Sequence, residues 1–214
     1  MRYYISDCHF FHRALLTKMD ERGFEDVYAM NDYMIAKWNA KVRKNDEVII
    51  LGDFSYGNEE ETREVLNKLN GKLFLILGNH DRFDKEKEYG ADRFEWIKPY
   101  AEMHDNRRKI VLCHYPIMFY NGQYKLDEAG KPLTYMLYGH VHDSFDERLL
   151  NHFINETRNS KRVNPDGKVR AIPCQMINCF CMYSDYTPLT LDEWIENDRL
   201  RREKENSETK KETF

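Results

Sequence analysis

A single α/β domain with a parallel sheet at its start is the fold the sequence predicts, and three observations predict it. The N-terminal third alternates short apolar runs with helical-period segments, a β-α-β-α-β order that gives parallel strands joined by right-handed crossovers. Five polar segments rich in Asp, Asn and His sit at the ends of apolar strand-like runs, as expected where strand ends converge on one rim of a sheet. The length of 214 residues, with 41% hydrophobic and 33% charged residues, suits one domain with a sizeable core under a polar surface.

Arg2–Ser6 reads as the first strand. Val27, Met30, Met34, Ile35, Trp38 and Val42 then recur at helical spacing and mark an amphipathic helix. Lys44-Asn45-Asp46 turns the chain into a strand at Glu47–Leu51. Asn58 is a good N-cap, with Glu59, Glu60 and Glu61 in the first turn where the helix dipole favours them. Val65, Leu66 and Leu69 give that helix its buried face, Gly71 stands at the expected C′ position, and Lys72–Leu77 is the third strand. Strands near Trp96–Met103 and Lys109–Cys113 flank a hairpin turn at Asp105–Arg108. Pro116–Leu133 is a long loop of the kind that covers sites. A strand at Thr134–Tyr138, a helix over Asp143–Asn155 and a polar loop from Glu156 to Gly167 come next. One or two strands follow within Val169–Cys181, and Thr190 with Glu193 has capping-box spacing for a helix starting near Leu191. The domain is expected to span 1–198. Residues 199–214 form a charged tail expected to fray, with Arg199–Lys204 a solvated helix end.

The five polar segments are Asp7-Cys8-His9, Gly52-Asp53-Phe54, Gly78-Asn79-His80-Asp81, Cys113-His114-Tyr115-Pro116 and Gly139-His140-Val141-His142. Leaving Asp81 aside, they offer two carboxylates, one amide oxygen and five imidazoles, more than one metal ion needs and about right for two. Asp7 and His9, like His140 and His142, stand two apart, so extended backbone would turn each pair to one face. The same alternation turns Cys8 and Val141 into packing, and Cys113 takes the same reading. Carboxylate and imidazole donors suit Mn, Fe, Zn or Ni, manganese first among them, better than Ca or Cu(I).

The net charge of −4 and pI near 6.1 give no global pull toward nucleic acid or an anionic membrane, although a local basic patch would still allow a nucleic-acid contact. No run approaches the roughly 18 apolar residues of a membrane span, and the N-terminus lacks the pattern of a secretory signal. Five cysteines, an odd number, fit reduced thiols in the cytoplasm.

The order Asp7-x-His9, Gly52-Asp53, Gly78-Asn79-His80-Asp81, His114, Gly139-His140-x-His142 resembles the calcineurin-like metallophosphoesterase superfamily over roughly residues 1 to 195. Ser6–His12, Leu51–Gly57 and Tyr186–Glu193 are similar to its small bacterial and phage phosphoesterases. The resemblance implies a two-sheet β-sandwich flanked by helices, a four-layer αββα fold. It implies that Asp7, His9 and His142 hold one ion, that Asn79, His114 and His140 hold a second, and that Asp53 bridges both. His80 would stay off the metals as the catalytic histidine. Two divalent ions with Asp7, Asp53 and a bridging hydroxide leave a site of about +1, which attracts phosphate and readies water for in-line attack. Many relatives read G-D-x-x-D, the last Asp orienting the catalytic histidine, where this chain has Tyr56. Asp81 is open to a structural or a catalytic role.

His12 and Asn79 are candidates for touching a substrate phosphate. Arg13, Arg82, Tyr115, Phe119, Tyr120 and Tyr124 could line the groove, though each aromatic also suits core packing or loop anchoring. The expectation is a dinuclear phosphoester hydrolase acting on a small phosphorylated substrate such as a nucleotide. Two rivals are a nuclease of the same superfamily and a catalytically inactive scaffold of the same fold, which would require a damaged donor set. The sequence does not indicate an oligomeric state.

Overall fold

The structure, a computed structural model, describes residues 1–83, 90–163 and 165–212. Two four-stranded sheets form its centre. The first contains β1 (Arg2–Ile5), β2 (Glu47–Ile50), β3 (Lys72–Ile76) and β4 (Phe94–Lys98) in that order, all parallel. The second runs β10 (Met176–Asn178), β7 (Thr134–Tyr138), β6 (Arg108–Cys113) and β5 (Tyr100–Asp105). It is parallel except for the antiparallel β5–β6 pair.

Side-chain alternation along these strands builds the layers. Tyr3, Ile5, Val48, Ile50, Leu73 and Leu75 face α1 (Val27–Lys41) and α2 (Glu59–Lys68), meeting Met30, Met34, Trp38, Val65 and Leu66. The intervening Tyr4, Ile49 and Ile76 face the other way and pack on Ile110, Leu112, Leu137 and Ile177 of the second sheet. Val111, Met136, Tyr138 and Met176 then meet Leu150 and Ile154 of α3 (Phe145–Asn159). Each fully buried aliphatic side chain contributes roughly 1.5–3 kcal/mol. The result is the four-layer αββα sandwich that the resemblance implies.

The helices start where cap chemistry predicts. Asp26 accepts from Tyr28 and Ala29 N–H, Ser144 accepts from Asp146 N–H, and Asn58 with Glu61 forms a reciprocal capping box. Gly71 lies beyond C′, because Leu69 caps α2.

Several elements differ from expectation. The expected strand Trp96–Met103 is two strands in different sheets, β4 and β5, with Pro99 between them. Proline has no N–H for a sheet ladder and marks the point where the chain changes layers. The hairpin at Asp105–Arg108 has left-handed Asn106 (φ 46) and Arg107 (φ 66), the mirror-image turn that matches strand twist. The expected polar loop at 156–167 is instead the end of α3 followed by the small hairpin β8 (Lys161–Val163) and β9 (Val169–Ala171).

The C-terminal helix α4 (Leu191–Glu212) continues through the expected boundary at 198. Arg202 is 6% exposed and donates to Asp198, Asn151 and the Met176 carbonyl. Arg201 donates to Glu147, a carboxylate that also accepts from the Tyr138 hydroxyl. Arg199–Lys204 is therefore only partly a solvated end. Residues 213 and 214 of the expected tail lie outside the described residues.

Candidate metal centre

All five polar segments lie at the C-terminal ends of strands: Asp7 and His9 after β1, Asp53 after β2, Asn79 and His80 after β3, His114 after β6, and His140 and His142 after β7. The backbone there is not extended. Asp7 (φ 54), His9 (φ 49), Asp53 (φ 53), His140 (φ 72) and His142 (φ 48) are all left-handed. The shared orientation of each i, i+2 pair thus comes from two left-handed turns and not from strand alternation, which corrects the expectation. Cys8 and Val141 between them are buried, at 1% and 9% exposure. Glycine is required where backbones crowd the carboxylates. A Cβ on Gly78 would meet Asp53 Oδ1 and the Asp53 amide, and one on Gly139 would meet Asp7 Oδ2 and Ser6.

Among the described residues, two overlapping groups of donors can hold metal ions: Asp7, His9 and His142, and Asp7, Asp53 and His114. All five residues are buried. His9 Nε2 lies 3.2 Å from His142 Nε2, and His142 Nε2 lies 3.5 Å from Asp7 Oδ1. Asp53 Oδ2 is 3.5 Å from both His9 Nε2 and His114 Nε2. Asn79 Oδ1 sits 3.0 Å from His114 Nε2 and 2.8 Å from His140 Nδ1. The seven expected donors therefore converge. Asn79 and His140 form the exposed side, and the other five lie beneath. Buried ring nitrogens and carboxylate oxygens this close need a proton or a cation between them, so the donor set fits divalent ions.

The proton chemistry of the cluster agrees. Burial pulls His114 and His142 down. Hydrogen bonding and charge from Asp53 and Asp7 for His114, and from Asp20 and Asp7 for His142, outweigh it and raise each to about 9. Burial, helped by the nearby positive charges of His142, Arg22 and His12, keeps His9 well below its ordinary value against the pull of Asp53. Asp7 and Asp53 stay below the usual carboxylate range: burial opposes this, but the imidazoles of His142 and His114 overcome it.

Several residues that support the cluster were not anticipated. His114 Nδ1 lies 2.8 Å from the Leu51 carbonyl, so Nδ1 carries the proton and Nε2 faces the cluster. His142 Nδ1 lies 2.7 Å from Asp20 Oδ1, and Asp20 pairs with buried Arg22. No spacing motif links Asp20 to His142, 122 residues away. Asp81, left open by the sequence, accepts N–H bonds from Gly78, Asp53 and Phe54. Burial lifts its pKa to about 6. It holds the Asp53 turn and has no hydrogen bond to the His80 ring among the described residues.

His80 is exposed at the mouth, and its backbone N–H donates to Asp53 Oδ1 at 2.9 Å. Its ring meets those of His9, His12 and Tyr56. Tyr56 stacks on His12 with centroids 4.1 Å apart, so an aromatic pair stands where the resemblance implies a carboxylate. His12 Nδ1 is 3.4 Å from His9 Nδ1. Tyr115 is half-exposed with its ring 4.5 Å from that of His140. Phe119 is exposed against Phe153 of α3. Tyr120 is core, its hydroxyl accepting from Gln175 N–H. Arg13 turns to Tyr28 of α1, and Arg82 is exposed. Tyr124 lines a cavity of about 450 Å³ with Arg162 and Arg170, and none of the donors lines that cavity.

Comparison with known proteins supports the same reading. The chain is 31% identical over 192 residues to an uncharacterized protein of Methanocaldococcus jannaschii, covering 89% of this chain and 86% of that one. It is 30% identical over 164 residues to the gene 66 protein of Mycobacterium phage L5, covering 65% and 76%. The crystal structure of an Aquifex aeolicus protein of unknown function shares the fold, with a TM-score of 0.61, 20% identity, and 90% and 96% of the two chains covered. Calcineurin-like phosphoesterases as a family match residues 3–212, donors and α4 included. With the strand-end cluster of carboxylates and imidazoles, these matches establish that the chain belongs to the calcineurin-like phosphoesterase family.

Proposed function

We propose that the protein hydrolyses phosphoesters of small phosphorylated substrates, nucleotides among them, with two divalent cations, manganese foremost. One observation carries the reading: Asp53 Oδ2 lies 3.5 Å from His9 Nε2 on one side and 3.5 Å from His114 Nε2 on the other, the position a bridging ligand needs. Asp7, His9 and His142 would hold one ion, and Asn79, His114 and His140 the other. Cations bound there would acidify a shared water and offset phosphoryl charge.

The chain's own residues do the rest. His80 is anchored through its backbone to Asp53 with its ring at the mouth, and it donates a proton to the departing oxygen. His12 and Asn79 orient the phosphoryl group. Tyr115 offers a face on which a base can stack. An inactive scaffold would tolerate a damaged donor set, whereas here every donor converges. The cysteines are free thiols, which fits a cytoplasmic setting.

Asp53→Asn and His80→Ala test the proposal on bis(p-nitrophenyl) phosphate and p-nitrophenyl phosphate with added Mn²⁺. Both variants should keep the wild-type circular dichroism. His80→Ala should lose about 10²–10⁴ in turnover. Wild-type rates in both variants would overturn the assignment.

A further inference from the structure

Asp20 stands outside every motif of this chain, yet its side chain is 2% exposed and its partners are specific. Oδ1 lies 2.7 Å from His142 Nδ1. Oδ2 accepts from Arg22, whose side chain is fully buried, at 2.9–3.0 Å. Arg22 also donates to the Cys8 carbonyl at 2.7 Å and the Asp7 carbonyl at 3.0 Å. One arginine therefore ties the Asp7-Cys8-His9 turn to the carboxylate that faces His142. The segment carrying the pair is strained: Met19 (φ 52) and Glu21 (φ 49), on either side of Asp20, are both left-handed non-glycine residues. Such conformations persist where surrounding contacts over-determine them. Both flanking side chains are exposed, so the side-chain interactions holding the segment come from Asp20 and Arg22, beside backbone bonds from Glu21 N–H to the Lys18 carbonyl and from Arg22 N–H to the Leu15 carbonyl.

We infer that Asp20 is a positioning residue for the metal centre: it holds the His142 proton on Nδ1, presents Nε2 to the Asp7–His9–His142 group, and strengthens that donor. Arg22 keeps Asp20 in place. His114, whose Nδ1 partner is the neutral Leu51 carbonyl, has no such carboxylate. A carboxylate behind a ligating imidazole raises its basicity, and its loss lowers metal affinity by about 10–100-fold. The inference rests on the metal-centre reading above.

Calorimetric titration of the metal-free full-length protein with Mn²⁺ distinguishes the two. Wild type should bind Mn²⁺. Asp20→Ala should bind one of its ions about 10–100-fold more weakly, and Asp20→Asn should fall between, with the circular dichroism of the chelated proteins unchanged although the lost Asp20 pairs lower their thermal midpoints. Wild type without Mn²⁺ binding would overturn the metal centre and this inference together. Wild-type binding constants in both variants would overturn the role of Asp20 alone. A second measurement needs no variant. In Zn²⁺-loaded wild type, ¹⁵N-histidine spectra should show His142 protonated at Nδ1 and metal-bound through Nε2, and the reverse tautomer would overturn the inference.

Discussion

Asp7, His9, Asp53, His140 and His142 hold positive φ angles that cost a non-glycine residue roughly 1–3 kcal/mol each. Neighbouring strand ends enforce these turns through Asp7 N–H to the Gly52 carbonyl and His9 N–H to the Asp53 carbonyl. There is no slack. Gly78→Ala would drive its methyl into Asp53 Oδ1 and the Asp53 amide. It should abolish stoichiometric manganese in metal analysis and cut turnover by about 10² or more, a typical cost of misplacing reacting groups. Wild-type metal content in the variant would refute this crowding argument. The donor identities were legible because each follows an apolar strand-like run. Their orientation was not, because period-2 alternation describes extended backbone and these residues are not extended. Asp20 was invisible because its partner is distant in sequence and a lone Asp in a polar stretch carries no local signal.

Among the elements, caps and periodicity placed α1, α2 and the parallel strands well, since those signals are local. Two misreadings came from non-local contacts. Pro99 divides one apolar run between two sheets, and run length alone cannot show which sheet each half joins. The charged start of the expected tail looked solvated, yet Arg201 and Arg202 neutralise Glu147 and Asp198, carboxylates buried to 1% and 7% exposure. Ending the chain after Asp198 should therefore cost about 3–5 kcal/mol, the usual penalty for stranding buried charge. The check is the urea midpoint: a truncated protein with the full-length midpoint would show that the helix end contributes nothing.

For the whole molecule, the parallel opening was legible, whereas the pairing of two sheets was anticipated only through family resemblance. Acidity should report on the assembled centre. His114 and His142 are raised from 6.5 to about 9 without metal. Their pairs with Asp therefore stabilise the chelated fold fully below about pH 6.5, and that contribution is lost as pH rises through 9. On the proposed ligand set an ion at Nε2 would replace those protons, so binding would strengthen over the same interval. The gap in melting temperature between manganese-loaded and chelated protein should widen from pH 6.5 to 9. A gap that narrows would contradict the assignment of these imidazoles as ligands.

Asp7, His9, Asp53 and Asn79 hang from one sheet and His114, His140 and His142 from the other. The cage is thus a caliper whose jaws are whole β-layers, and the thickness of hydrocarbon between them, Ile49 and Ile76 against Ile110 and Leu112, sets its opening. Any ion held there would be gauged for size by residues that never touch it.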